Sequence, residues 1–194
     1  MMSSDPRASC PADPSDELFD VVDAEDRVVR QERRSIVHAQ GLTHRAAHVF
    51  VFNSRGQLLV QRRSASKDEF PLTYTSSASG HVGAGETYED CAPRELQEEI
   101  GLAAPLEWMV KLPASVETAQ EHTVLFRAVS DAVPTPDTEE VASLTYFTLD
   151  ELLALLATDP AAFSPPFGAL LNWYLGHAHD CQVSENTPIN PVRR

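Results

Sequence analysis

GHVGAGETYEDCAPRELQEEIGL, residues Gly80 to Leu102, is the stretch on which the reading of this chain turns. Beyond Glu86 it holds five acidic residues, and three of them, Glu95, Glu98 and Glu99, stand at i, i+3 and i+4. On an α-helix those positions share one face. Three like charges stacked there repel unless something positive lies among them. A divalent cation meets that need: Mg²⁺ and Mn²⁺ take carboxylate oxygens and keep several waters, which suits a diphosphate as the remaining ligand.

The flanks fit a loop followed by a helix. Gly80, Gly83 and Gly85 allow a tight turn and exposed backbone groups. Thr87 with Asp90 three residues on reads as an N-cap, and Gly101 with Leu102 as a C-terminal stop with its apolar contact. Arg94 beside the acidic face and Glu86 ahead of the helix suit a salt bridge pinning loop to helix. Pro93 breaks the pattern, since an interior proline costs about 3 kcal/mol. Either the regular helix starts near Ala92 or it is kinked there. The three glutamates follow Pro93, so their spacing survives both cases.

Nine positions at fixed offsets resemble the Nudix hydrolase signature: Gly80, Glu86, Arg94-Glu95-Leu96, Glu98-Glu99 and Gly101-Leu102. The resemblance covers 23 of 194 residues. It implies an α/β fold, the Nudix-type α/β/α sandwich with a mixed β-sheet. It also implies Mg²⁺- or Mn²⁺-dependent hydrolysis of a diphosphate linked to another group. By that resemblance Glu95, Glu98 and Glu99, with the Gly80 carbonyl, hold metal, and Glu86 and Arg94 support them. The ordinary alternative, a solvated acidic helix face, explains three glutamates but not nine matched positions.

A chain of 194 residues suits one domain with extensions. We expect disordered ends at 1–16 and 180–194 around a domain at 17–179. Acidic residues outnumber basic ones 29 to 15, for a formal charge of −14. Such a surface repels a phosphate backbone, so duplex nucleic acid is excluded as a partner. A small diphosphate is not, because a bound cation reverses the local field. Cys10, Cys91 and Cys181 form neither a disulfide framework nor a zinc spacing. The N-terminus lacks the basic start and apolar core of a secretory signal, and no run reaches the ~20 apolar residues that span a bilayer. The expected setting is cytoplasmic, without a membrane. Dimers are common in families of this kind, and the sequence leaves the homodimer open.

Along the chain, 17–31 reads as a hairpin turning at Ala24 to Arg27, and Arg33 to Gln40 as a turn or two of helix. His44 to Asn53 and Gln57 to Arg63 are paired strands around Asn53-Ser-Arg-Gly. Ser64 to Pro71 is a loop, and Thr73 to Ser79 a strand feeding the glutamate helix. Trp108 to Leu112 and Thr123 to Val129 are strands, joined by a loop carrying Glu117, Glu121 and His122. Leu144 to Thr148 is a strand, and Leu149 to Ala157 a helix. Pro160 to Pro166 interrupts. Phe167 to Ala178 is the last helix, with Trp173 and Tyr174 read as packing.

Arg63 and Lys67, four residues apart before the Thr/Ser strand, are placed to grip phosphate oxygens. The run from Leu58 to Pro71 and on to Ser77-Ala-Ser-Gly-His81 resembles the isopentenyl diphosphate isomerase branch of the same superfamily. There a matching Arg and Lys hold the diphosphate, a Gly-His like Gly80-His81 supplies a metal ligand, and histidines near a segment like His44-Arg45-Ala46 bind metal. His38, His44 and His81 are thus candidates for a second metal site, against the ordinary structural role of a histidine. The isomerase depends on a cysteine where this chain has Ser79, a far weaker acid. The reading is therefore a hydrolase related to the isomerases, with Glu98, Glu121, Glu139 or Glu140 as its base. The isomerase and a non-catalytic diphosphate-binding module stay as alternatives. Nucleotide sugars, nucleoside diphosphates, coenzyme A-like compounds and isoprenoid diphosphates all remain open as substrates.

Overall fold

A computed structural model describes residues 17–183. The extension at 1–16 and the tail from 184 lie outside the described residues. Strands β1 (Leu18–Val22) and β2 (Val28–Arg33) form an antiparallel hairpin, and α1 (Arg34–Gln40) follows directly. The Asp23 carboxylate shapes the turn by accepting the backbone N–H groups of Glu25 and Arg27 at 3.0 and 2.9 Å. Gly41 ends α1 in the left-handed region, at φ 59°.

Strands β3 (His44–Phe52) and β4 (Leu58–Arg63) pair only at Val51–Leu59 and Phe52–Leu58, then part. The gap is filled by two short strands, where the sequence suggests one at Thr73 to Ser79. β5 (Tyr74–Thr75) pairs with β4, and β6 (Ala78–His81) pairs with β3. Ser76 and Ser77 lie between them, and Ser77 makes the crossing. The Ser77 hydroxyl donates to the Leu59 carbonyl on β4 at 2.5 Å and accepts the Val51 N–H on β3 at 2.8 Å. Each parted strand thereby recovers a backbone partner that it would otherwise lose in a dry interior.

The glutamate helix α2 runs unbroken over Tyr88–Ile100, through Pro93. The carbonyl freed by Pro93 belongs to Glu89, an exposed residue, so the lost bond does not leave a group in the dry core. Thr87 caps its start by accepting the Asp90 N–H, and Gly101 ends it at φ 65°. Strands β7 (Glu107–Leu112), β8 (Glu121–Val129) and β9 (Val141–Phe147) complete the sheet. β8 runs parallel to β3, while β7 and β9 lie antiparallel to β8 and β4. β8 and β9 start earlier than Thr123 and Leu144, so Glu121 and His122 belong to a strand, not to a loop. α3 (Leu149–Thr158) opens on a capping box of Thr148 and Glu151. α4 (Pro165–Val183) starts two residues before Phe167, since a proline is tolerated in the first turn, whose N–H groups have no helical partner. It continues past Ala178 because no glycine or proline interrupts 177–183.

Strand alternation divides the core into two layers. Ala47, Val49, Val51, Val124 and Phe126 face the Ala92, Leu96 and Ile100 side of α2. Phe50, Phe52 and Leu125 face Phe167, Leu170, Leu171 and Tyr174 of α4 and Leu152 of α3. Each fully buried large side chain contributes about 1.5–3 kcal/mol. Tyr174 is buried and Trp173 packs partly against this layer, as packing residues. The architecture is an α/β/α sandwich around a mixed sheet.

Candidate functional site

The loop into α2 and the helix face it precedes form one wall of a cavity of about 410 Å³. Its opposite parts bring in Arg34, Arg63, Lys67, Asp137 and Glu140, with Glu17 from the hairpin at the rim. Glu86 binds Arg94 two-handed, Nε to Oε1 at 2.8 Å and Nη2 to Oε2 at 2.9 Å, and also accepts the Gly83 N–H at 2.8 Å. Arg94 reaches Glu95 at 2.6 Å and Glu98 at 3.0 Å as well. One guanidinium thus supplies part of the positive charge that the spacing of the acids demands.

The three acids differ in setting. Glu98 is exposed, at 60% of its side chain. Glu95 is held against the backbone of Gly80. A Cβ built on Gly80 would stand 2.1 Å from the Glu95 carboxylate, so this glycine is required for close approach. Neither Gly80 nor Gly83 has a positive φ; among the three loop glycines only Gly85 does, at 78°. Glu99 is 3% exposed and accepts the Ser79 N–H at 2.9 Å. Burial, and then the Glu95 charge, push the Glu99 carboxyl up to about 7, and burial raises Glu95 as well. Carboxylates set on one helix face beside the Ser79-Gly80 backbone, one of them resisting ionisation, fit a hard divalent cation, which would favour their charged forms.

Arg63 and Lys67 line this cavity together with the acids. Burial pulls both cations below their ordinary pKa. Arg63 donates to the Glu69 carbonyl at 3.0 Å, and Lys67 bonds Glu140. Glu139 is exposed and lies outside the cavity lining. Arg34, Glu17 and Asp137 escaped the sequence reading. They come from the hairpin, its following helix and the β9 approach, none of which carries a local signature of a site.

A second cluster lies behind Gly80. Cross-strand register sets His44 beside Glu121 on β3 and β8, and Ala46 beside His81 on β3 and β6. The donor atoms of His38, His44 and His81 lie within 4.8 Å of one another, as do those of Glu69, His81 and Glu121. His81 Nε2 is 3.1 Å and His44 Nε2 3.6 Å from Glu121 Oε1. Phe19 of β1 packs on all three histidine rings, with centroids 4.8–6.0 Å away. Burial pulls His38 down to about 4 and lowers His81. Burial alone would raise Glu121, but its bonds to His44 and His81 hold it well below the carboxylate range. The buried Nε2 of His38 has no hydrogen-bond partner, and that of His44 has only the long 3.6 Å contact with Glu121. Burial would lower His44 too, but Glu121 outweighs it there and raises it. Three imidazoles set around one carboxylate, two of them kept from protonating by burial, fit a transition-metal ion. His122 takes no part: it points to the other side of β8 and meets the Asp23 carbonyl at 2.9 Å.

No helix among the described residues is long and apolar enough to cross a membrane. The chain is 32% identical to an isopentenyl-diphosphate Δ-isomerase of Serratia proteamaculans, over 88% of this chain and 94% of the relative. It is 32% identical to a prenyl-diphosphate phosphatase of Methanosarcina mazei, over 76% and 89%. An uncharacterized Nudix hydrolase of Streptomyces coelicolor is 47% identical over 45% of this chain, and there the match spans about half, 48%, of the relative's length. Among solved structures, DR0079 of Deinococcus radiodurans superposes with a TM-score of 0.71 at 28% identity, over 80% of this chain and 98% of that one. The NUDIX domain model matches residues 42–167, which takes in the signature, the acidic helix face, the histidine cluster except His38, and strands β3 to β9. This chain belongs to the Nudix family.

Proposed function

We propose that this chain is a divalent-metal-dependent hydrolase that cleaves the phosphoanhydride bond of an organic diphosphate. The observation that carries the reading is the single cavity in which Glu95, Glu98 and Glu99 face Arg34, Arg63 and Lys67. Glu95, Glu98, Glu99 and the Gly80 carbonyl would hold Mg²⁺ or Mn²⁺, which when bound supplies charge neutralisation and an activated water. Arg34, Arg63 and Lys67 hold the phosphate oxygens and stabilise charge on the departing group. Glu98, the most exposed of the three acids, takes the proton of the attacking water; Glu140, tied to Lys67, is the other carboxylate within the cavity fit for that role. The working unit reaches back at least to Glu17, because Glu17 and Arg34 line the cavity and both precede the span of the family match. Products are two phosphoryl compounds, or a monophosphate and inorganic phosphate.

The isomerase and the prenyl-diphosphate phosphatase among the relatives put isoprenoid diphosphates first among the candidate substrates. Glu98→Gln tests the hydrolase reading. Turnover should vanish while the thermal transition stays nearly where it was; an equal loss of folding would make Glu98 a structural residue. The histidine cluster favours a second reading, isomerisation of a five-carbon diphosphate, and Ser79 opposes it. Incubation in deuterated water separates the two, because isomerisation places deuterium on carbon and hydrolysis does not.

A further inference from the structure

We propose that an apolar chamber behind the diphosphate cavity receives the hydrocarbon tail of the substrate, and that Phe70 and Gly168 set the tail length it accepts. This rests on the hydrolase reading above. Three cavities adjoin in sequence. The 410 Å³ charged cavity shares Arg63, Ser79, Gly80 and His81 with a narrow one of about 50 Å³. The narrow one shares Phe70 and Ser164 with a third, of about 530 Å³, against α3 and α4. The narrow cavity has room for a few water-sized groups, so at most a short stretch of chain fits there and the bulk of a tail needs the third. The third falls in the usual range of small-molecule sites, ~300–1,000 Å³.

The chemistry of the walls changes along this line. The third chamber is lined mostly by apolar residues, among them Phe70, Leu156, Phe163 and Ala169; Thr73, Glu117, Ser164 and Asn172 are its polar members, and none of its lining residues is basic. An anionic end has nothing to bind there, and its place is among Arg34, Arg63 and Lys67. The narrow cavity also carries Arg63, Glu69, His81 and Glu121 at the end it shares with the charged cavity, where Arg63 Nε donates to the Glu69 carbonyl at 3.0 Å and His81 Nε2 meets Glu121 Oε1 at 3.1 Å. Toward the third cavity its polar groups engage one another. His48 Nδ1 meets Ser76 Oγ at 2.8 Å, and Ser164 Oγ donates to Thr75 Oγ1 at 3.1 Å. A polar ligand would find these partners engaged, whereas a hydrocarbon chain leaves them undisturbed.

Two residues mark the chamber as kept open. Phe70 stands at the junction with φ 48°, and Leu72 follows at φ 61°, both in the left-handed region that bulky residues avoid. Such strain persists only where the surroundings over-determine it, and it gathers at ligand sites. Gly168 lies in helix α4 without a positive φ, where glycine is a poor helix former, and a Cβ built on it meets nothing within 4 Å. Neither the backbone nor packing requires glycine there. Its absent side chain leaves the chamber its depth.

The test measures kcat/KM of the full chain with Mg²⁺ for prenyl diphosphates of five, ten, fifteen and twenty carbons, beside a nucleotide sugar and a nucleoside diphosphate. Gly168→Leu should lower kcat/KM for the fifteen-carbon substrate by about 10-fold or more, the scale of excluding a methylene from an apolar pocket, and leave the five-carbon value within about 2-fold. Phe70→Gly, whose new residue accepts φ 48°, should raise the twenty-carbon value relative to the five-carbon one. If Gly168→Leu leaves the ratio of long to short substrates unchanged, the inference is overturned. If the wild-type chain cleaves nucleotide substrates and no prenyl diphosphate, the inference falls and the hydrolase reading stands. If it cleaves no diphosphate at all, both fall.

Discussion

Glu99→Gln should make the metal-free protein more stable at alkaline pH, although it deletes a residue proposed to bind metal. The Glu99 carboxyl stands at about 7 in the folded chain against an ordinary 4.5, chiefly because burial penalises its charge and secondarily because Glu95 lies near. A raised carboxyl pKa means that stability is fully present below about 4.5 and is lost as pH rises through about 7. The loss at pH 8 is about 3 kcal/mol, at 1.36 kcal/mol for each unit between the two values. Glutamine is close in shape, carries no charge, and its carbonyl can still accept the Ser79 N–H. The variant should therefore exceed wild type by about 3 kcal/mol at pH 8 and by less than about 1 kcal/mol at pH 5. Urea denaturation in the presence of a chelator measures both values. Adding Mg²⁺ or Mn²⁺ should then reverse the order, stabilising wild type far more than the variant. A variant less stable than wild type at pH 8 without metal would refute the argument. So would a stability gap that does not change with pH.

Gly80→Ala should displace the Glu95 carboxylate, which stands 2.1 Å from the new Cβ position. A shift of about 1 Å at a reacting centre costs on the order of 10²-fold in rate, so kcat/KM should fall by about that factor while far-ultraviolet circular dichroism stays the same. Ser77→Ala should destabilise by about 1–3 kcal/mol in urea denaturation, because the Val51 N–H loses its buried partner; a loss below about 0.5 kcal/mol would mean that β3 and β4 close up without the serine.

The neighbourhood of α2 was readable because everything that matters there is local. A helical repeat places Glu95, Glu98 and Glu99 on one face whatever surrounds the helix. The caps at Thr87 and Gly101 and the Glu86–Arg94 bridge likewise involve neighbours along the chain. The role of Gly80 was harder to read. Glycine suggested a special backbone angle, but the constraint is the carboxylate of Glu95, which reaches this backbone from the helix 15 residues onward. The Thr/Ser run read as one strand because its composition is uniform; its break lies in Ser77, which divides its hydroxyl between two strands.

By itself the amino-acid sequence determined the acidic helix face, its caps, its bridge and the order of strands and helices apart from the division of Thr73 to Ser79 into β5 and β6, since each follows from periodicity or from contacts a few residues apart. The rest arose from pairing across the sheet. His44, His81 and Glu121 meet because β6, β3 and β8 lie side by side in one register, and a shift of one residue would turn each side chain to the opposite face. Arg34, Glu17 and Asp137 enter the cavity, and Glu139 is left out, by the packing of hairpin, loop and β9 against α2. Such juxtapositions bring together residues far apart along the chain, and no spacing within the chain encodes them.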